Sequence, residues 1–173
     1  MIKILDNFFK KEDLKMIQDF ALNKAFYTPK YFDGAKVKNK KSHYGNRFEL
    51  IKNPELFELF KKQAESKFKI KIKKLNISSG IDQRNLNHFK PHTDHRMSAK
   101  INILIMISGP TAVTNGTVFY HGSIDNCHLD MHIGFRENRA ILFPSDKIHS
   151  QHASKTPNLK RYTATLFVTD YEE

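Results

Sequence analysis

The sequence predicts an α+β chain in which N-terminal helices pack on a C-terminal antiparallel β core, a sandwich or barrel. Three observations carry this. Apolar residues recur at helical spacing in two stretches of the first half. From Phe68 onward the period changes to two. Short β-prone runs then follow one another with turn residues between them and no helical pattern intervening.

The first helix spans Lys11 to Ala25, where Leu14, Ile17 and Ala21 form a stripe widened by Met16 and Phe20. A second opens at Asn53-Pro54, since Asn caps a helix N-terminus well and Pro suits the first helical position. Leu56, Phe57, Phe60, Ala64 and Phe68 make its apolar face. Between the helices, Tyr27 to Tyr44 is polar and basic and reads as an extended loop; the basic stretch 35–47 is placed to act as a lid. Phe68, Ile70 and Ile72 alternate with lysines, as in a half-buried strand. Further strands are expected at 85–92, 99–108, 116–121, 129–134, 139–144 and 160–169, separated by turn signals such as Gly109-Pro110, Asn115-Gly116 and Glu137-Asn138.

At 173 residues the chain is one domain, 1–173, with a helical, basic support region over 1–80 and the β core over 81–173. Cys127 has no second cysteine to pair with, which excludes an internal disulfide and a cysteine-only metal cage and favours a reducing compartment. The longest apolar run, Ile103 to Ile107, is far short of the roughly 20 residues that cross a bilayer. A cytoplasmic protein with no membrane partner is the expectation. The formal net charge is +11, but residues 1–80 carry 19 Lys plus Arg against 9 Asp plus Glu, and residues 81–173 carry 10 against 9. The basic half could recruit an acidic partner.

The chemistry-bearing residues lie in the near-neutral half. In Pro91-His92-Thr93-Asp94, His92 and Asp94 stand two apart, so an imidazole and a carboxylate project to one side of a strand. A further histidine, His152 or His149, completes a two-His, one-carboxylate set, which suits ferrous iron and is also open to zinc. Arg161 separates the two. It alternates with Thr163, Thr165 and Phe167 on one face of an otherwise apolar strand, and a buried guanidinium there needs an anion such as a carboxylate.

With these residues in that order, the sequence resembles the Fe(II)/2-oxoglutarate-dependent dioxygenase superfamily, in its prolyl-hydroxylase-like branch. The matching elements are His92-x-Asp94, His152 58 residues beyond Asp94, Arg161 nine residues further, and Asn115-Gly-Thr-Val-Phe-Tyr120 midway. The resemblance implies a double-stranded β-helix, or jelly roll, with iron held by His92, Asp94 and His152. It implies that Arg161, helped by Thr163, pairs with the far carboxylate of 2-oxoglutarate. It also implies dioxygen as co-substrate, ascorbate as an accessory reductant, and a hydroxylase that acts on a C–H bond of a protein or peptide while 2-oxoglutarate is converted to succinate. Relatives often place a tyrosine on the strand after His-x-Asp; here Met106 stands near that position, and Asn102 is the candidate replacement contact to 2-oxoglutarate.

His149 competes with His152 as distal ligand. It lies 12 residues before Arg161, while the relatives show about nine to eleven, and that spacing favours His152. His128-x-Asp130 is a decoy, only 22 residues before His152. His95 is expected at the entrance or in solvent, and His43, His88 and His121 are expected to be structural. A nucleic-acid demethylase of the same superfamily stays open as an alternative, although no Lys or Arg follows Arg161. So does a jelly-roll binding module without turnover. A halogenase is disfavoured because Asp94 is present.

Overall fold

The computed structural model describes residues 1–31, 43–86, 90–112, 114–153 and 156–173. A short strand, β1 (Lys3–Leu5), leads into α1 (Lys11–Asp19), which widens into a π-helical turn over Phe20–Lys24. The predicted first helix is thus helical along nearly its whole length, with its last turn relaxed. α2 (Pro54–Phe68) begins where expected: the Asn53 side chain accepts a hydrogen bond from Leu56 N at 3.2 Å, and Pro54 stands in the first turn. Lys69 ends the helix in the left-handed conformation, φ 58°. No helix among the described residues is long and apolar enough to cross a membrane.

The remaining strands are β2 (Thr28–Tyr31), β3 (His43–Glu49), β4 (Lys71–Leu75), β5 (Gly80–Leu86), β6 (Ile101–Ser108), β7 (Gly116–Ser123), β8 (Asn126–Gly134), β9 (Ala140–Pro144), β10 (His149–His152) and β11 (Thr156–Glu172). One sheet has the order β1-β9-β6-β11-β5-β3-β2, with β4 added alongside β11; the second is β10-β7-β8. All pairings are antiparallel. The expected loop over 27–44 is corrected at both ends, because β2 and β3 pair there and extend the large sheet. Residues 43–47 belong to β3, and the rest of the expected lid, 35–42, lies outside the described residues.

The large sheet has two buried faces of different chemistry. Its outer face packs on the helices: Ile103, Ile105, Ala164 and Leu166 meet Phe8, Ile17, Phe60 and Phe68 in one apolar cluster. Its inner face looks at the small sheet, where Leu104, Met106, Ile141 and Phe143 pack with Phe119, Ile133 and Phe135. Two antiparallel sheets with facing side chains and a helical cover make the expected α+β jelly roll.

Candidate active site

His92 and His149 are held together by main chain. They form an antiparallel bridge in which each amide donates to the other's carbonyl, at 3.0 and 2.9 Å. Asp94 is placed by its own amide, which donates to Ser145 O at 2.9 Å. The side chains converge: His149 Nε2 lies 3.3 Å from Asp94 Oδ2, and His92 Nε2 lies 3.8 Å from Asp94 Oδ1. One ligand atom from each residue falls within 4.8 Å of the others.

The second ring nitrogens settle the tautomers. His92 Nδ1 meets Lys90 O at 3.1 Å and His149 Nδ1 meets Lys147 O at 2.9 Å, so Nδ1 carries the proton in each ring. Both Nε2 lone pairs then turn toward the Asp94 carboxylate. Burial, together with the charge of His149, lowers the His92 pKa to about 4, and the ring is neutral at pH 7. Burial works to raise the Asp94 pKa, but the neighbouring His149, then His92 and Arg84, outweigh it and hold the carboxylate below its ordinary value. A positive charge, a proton or a metal ion, has to lie among these donor atoms. Two imidazoles and one carboxylate are the donor set suited to ferrous iron with positions left open.

Deeper in the barrel, Arg161 is buried on β11. Its Nη1 donates to Gly116 O at 2.8 Å, with Asn115 Oδ1 at 3.4 Å, and the guanidinium lies over the Phe135 ring at 5.4 Å. Gly116 must be glycine, since a Cβ there would run into Ile133 O and His132 Nε2. Burial and the neighbouring Arg84 lower the Arg161 pKa to about 9, against the attraction of Asp82, and the group is still charged at neutral pH. Among the described residues, neither Arg161 Nε nor the buried hydroxyl of Thr117 has a hydrogen-bond partner. These donors are left for an anion, and a dicarboxylate such as 2-oxoglutarate fits them. Thr163 is buried two residues along the same face, opposite Met106. Met106 is fully buried, and its face of the site is apolar.

Two expectations are corrected. His152 is not beside His92 and Asp94. His149 and Gln151 project from one face of β10, Ser150 and His152 from the other. The ring of His152 packs on His132, 5.6 Å between centroids. The spacing to Arg161 misled because β11 is irregular. Thr156 pairs with Leu86 and Lys160 with Asn85, so β11 advances four residues while β5 advances one. The three extra residues account for the 12-residue separation of His149 from Arg161. Asn102, in turn, does not lie at the Arg161 end. It pairs with Phe167, and its Nδ2 donates to Asp94 Oδ2 at 2.7 Å, so it orients the carboxylate ligand. Its carbonyl oxygen, buried and without a partner among the described residues, is an acceptor and cannot pair with a carboxylate.

The decoys fall as expected. Asp130 takes His121 Nε2 at 2.8 Å and Lys147 Nζ at 2.8 Å on the β7–β8 hairpin, and His128 is exposed. His95 is exposed. His88 and Phe89 lie outside the described residues, as does the side chain of His43.

No protein-family model matches the chain, and no curated protein matches it in sequence. Solved structures do match. The chain is similar to a prolyl hydroxylase from Trichoplax adhaerens in complex with a hypoxia inducible factor peptide fragment (TM-score 0.71, 12% identity, 96% of this chain and 83% of that one). It is similar to a 2OG-Fe(II) oxygenase family oxidoreductase from Burkholderia pseudomallei (TM-score 0.65, 12% identity, 99% and 84%). It is also similar to the epimerase SnoN in complex with Fe3+, alpha ketoglutarate and nogalamycin RO (TM-score 0.65, 10% identity, 99% and 78%). The chain has the fold of the Fe(II)/2-oxoglutarate oxygenases. Within that fold, His92, Asp94 and His149 form a group that could hold a metal ion.

Some residues of this oxygenase-like site were not anticipated. Asn115 and Gly116 read as a turn, yet they position Arg161. Arg47 and Asp82 form a buried two-point ion pair, at 2.7 and 2.8 Å, on the barrel side of β3 and β5. The alternation of Asp82 and Arg84 along β5 was the one available signal.

Proposed function

We propose that this chain is an Fe(II)- and 2-oxoglutarate-dependent oxygenase that hydroxylates a C–H bond of a protein or peptide side chain. The carrying observation is the convergence of His92, Asp94 and His149 at one end of a barrel whose other end holds the buried, incompletely paired Arg161. His92, Asp94 and His149 would hold the iron, with Asn102 keeping one Asp94 oxygen in place. Arg161 would hold the far carboxylate of 2-oxoglutarate, with Thr163 beside it. Iron and 2-oxoglutarate, when bound, would supply the chemistry with dioxygen as the oxidant: one oxygen atom goes into the C–H bond and the other into succinate as 2-oxoglutarate loses carbon dioxide.

The chain's own residues do the rest. The Nδ1 hydrogen bonds fix both imidazoles in the tautomer a metal requires. The Phe143 ring lies 4.8 Å from that of His149 and, with Phe119, walls the site off from water on that side. The likeness to a prolyl hydroxylase holding a peptide supports a peptide substrate.

The test is anaerobic reconstitution with Fe(II) and 2-oxoglutarate, then admission of oxygen and measurement of succinate release with peptide, amino-acid and oligonucleotide pools. Iron-dependent succinate stimulated by the peptide pool is expected. Stimulation by the oligonucleotide pool alone would replace the peptide reading with a nucleic-acid one, and no iron-dependent succinate at all would overturn the oxygenase reading.

A further inference from the structure

A strand at the border of a sheet presents main-chain donors and acceptors with no strand beside them, and proteins blunt such borders with short strands, lysines or proline. Most borders of this fold are blunted in that way. β1 has three residues. β2 carries Pro29 and Lys30, and β4 carries Lys71, Lys73 and Lys74. β10 is four residues long and is flanked by the His92 bridge. β8 differs. It is nine residues long, stands at the border of the small sheet, and holds no lysine, arginine or proline. Among the described residues its main chain bonds only to β7 and, at Gly134 O, to Arg139.

Two apolar side chains lie open along β8, Leu129 with 67% of its surface accessible and Met131 with 39%. Phe119 faces Met131 and Tyr120 faces Leu129, so Asp130 is the extra residue of a bulge. Its carboxylate is held by His121 Nε2 of β7 and by Lys147 Nζ, each at 2.8 Å, so the one acidic group of the strand is already paired.

The charge distribution then selects the occupant. A free strand edge pairs main chain with main chain, so what fits it is a polypeptide. The basic excess lies in residues 1–80, and an acidic segment would be drawn there. β7, β8, the hairpin between them and β10 contain no Lys or Arg, and their acidic residues are Asp125 and Asp130. Two copies of a chain with net charge +11 therefore repel least when they meet through this face. The edge is also its own complement. A twofold axis sets two identical strands antiparallel, which is the pairing a free edge accepts.

We propose that β8 is the dimerisation edge of this protein. Two copies join β8 to β8, so that two three-stranded sheets become one of six, and Leu129 and Met131 are covered. Met131, Phe119 and His149 form one row across the small sheet, so the junction lies on the strand bordering the wall of the candidate site.

The test is sedimentation equilibrium of the full, metal-free chain over a range of concentrations, with hydrogen exchange of the β8 amides followed on the same samples. A reversible monomer–dimer equilibrium is expected, and it should tighten as salt screens the repulsion between copies. The β8 amides should exchange more slowly as dimer forms. Leu129→Lys and Met131→Lys give this edge the device that β2 and β4 use, and each should weaken dimerisation about tenfold or more. Ile77→Lys alters an exposed apolar residue between β4 and β5 and should leave dimerisation within about twofold. Circular dichroism of each variant should match the parent, which shows that it is folded. A monomer at every concentration and salt overturns the proposal, as does a dimer that the three variants leave intact or weaken alike. Exchange in the parent needs no variant: β8 amides that gain no protection as the dimer forms overturn it too. Metal and 2-oxoglutarate play no part in these measurements, so the oxygenase reading stands or falls separately.

Discussion

Along β11, Tyr162, Ala164, Leu166 and Val168 turn toward the helices, whereas Arg161, Thr163, Thr165 and Phe167 turn into the barrel. Both faces are removed from water. On the first, burial is its own reward: apolar area leaves solvent and packs on Phe60 and Phe68. On the second, a guanidinium and hydroxyls are desolvated, a loss that the bonds of Arg161 to Gly116 and Asn115 offset only in part. Stability and binding are therefore carried by opposite sides of one strand, and substitutions should separate them.

β10 offers the sharpest break, because its two histidines lie on opposite faces. His149→Ala should lower Mn(II) or Co(II) affinity by at least about 100-fold, measured by titration of the metal-free protein, since an inner ligand matters more than the partners that orient it. His152→Ala should leave metal affinity within about twofold. Equal losses in both variants would mean that β10 does not present its side chains as described.

Much of this arrangement was legible in the sequence, and the failures have physical causes. The alternation along β6 and β11 correctly sorts Ile103 and Ile105, Ala164 and Leu166 to one face, and Asn102 and Leu104, Arg161 and Thr163 to the other, because period-two geometry leaves no other choice. The convergence of His92 and Asp94 was read by the same logic, although they sit at an isolated bridge beside a 3-10 turn. His152 was expected beside His92 and Asp94, where His149 stands, because residue counting assumes a regular ladder, and the irregularity of β11 near Thr156 leaves no signature in composition. Asn102 was placed at the wrong end because strand register, and not residue type, decides which partner lies across from it. β2 and β3 were read as loop because their polar, lysine-rich residues hide strands near the edge of a sheet.

Leu166→Ala tests the outward face. Leu166 is fully buried in the helix-facing cluster, and truncation should destabilise the protein by about 2–5 kcal/mol in urea unfolding. The 2-oxoglutarate affinity of the fraction that remains folded should not change. A shifted affinity with little loss of stability would show that the two faces are coupled.

Arg161→Gln is the converse on the inward face. Losing a charge-assisted, two-point contact should weaken 2-oxoglutarate binding to the Mn(II) protein by roughly 10- to 100-fold. Stability should stay level or rise, because a desolvated cation is removed from a site where it keeps an unpaired Nε. Metal affinity should be unaffected, since the side chain is anchored on Asn115 and Gly116 and touches none of the three ligands. A large loss of stability would place Arg161 among the structural residues and remove the main argument for a dicarboxylate.

The smallest effect belongs to Thr163→Val, which keeps the side-chain shape and removes one hydroxyl. Thr163 is buried opposite Met106 and one alternation from Arg161. A single neutral hydrogen bond is worth about 1 kcal/mol, so 2-oxoglutarate binding should weaken about fivefold. Stability should barely move, since valine fits a strand as well as threonine does. The comparison that sharpens the picture is with 2-oxopentanoate, which lacks the far carboxylate. If the hydroxyl assists Arg161, Thr163→Val should weaken 2-oxoglutarate and leave 2-oxopentanoate binding unchanged. Equal weakening of both would move Thr163 to the keto-acid end and leave Arg161 as the one inward-facing residue of β11 assigned to the far carboxylate.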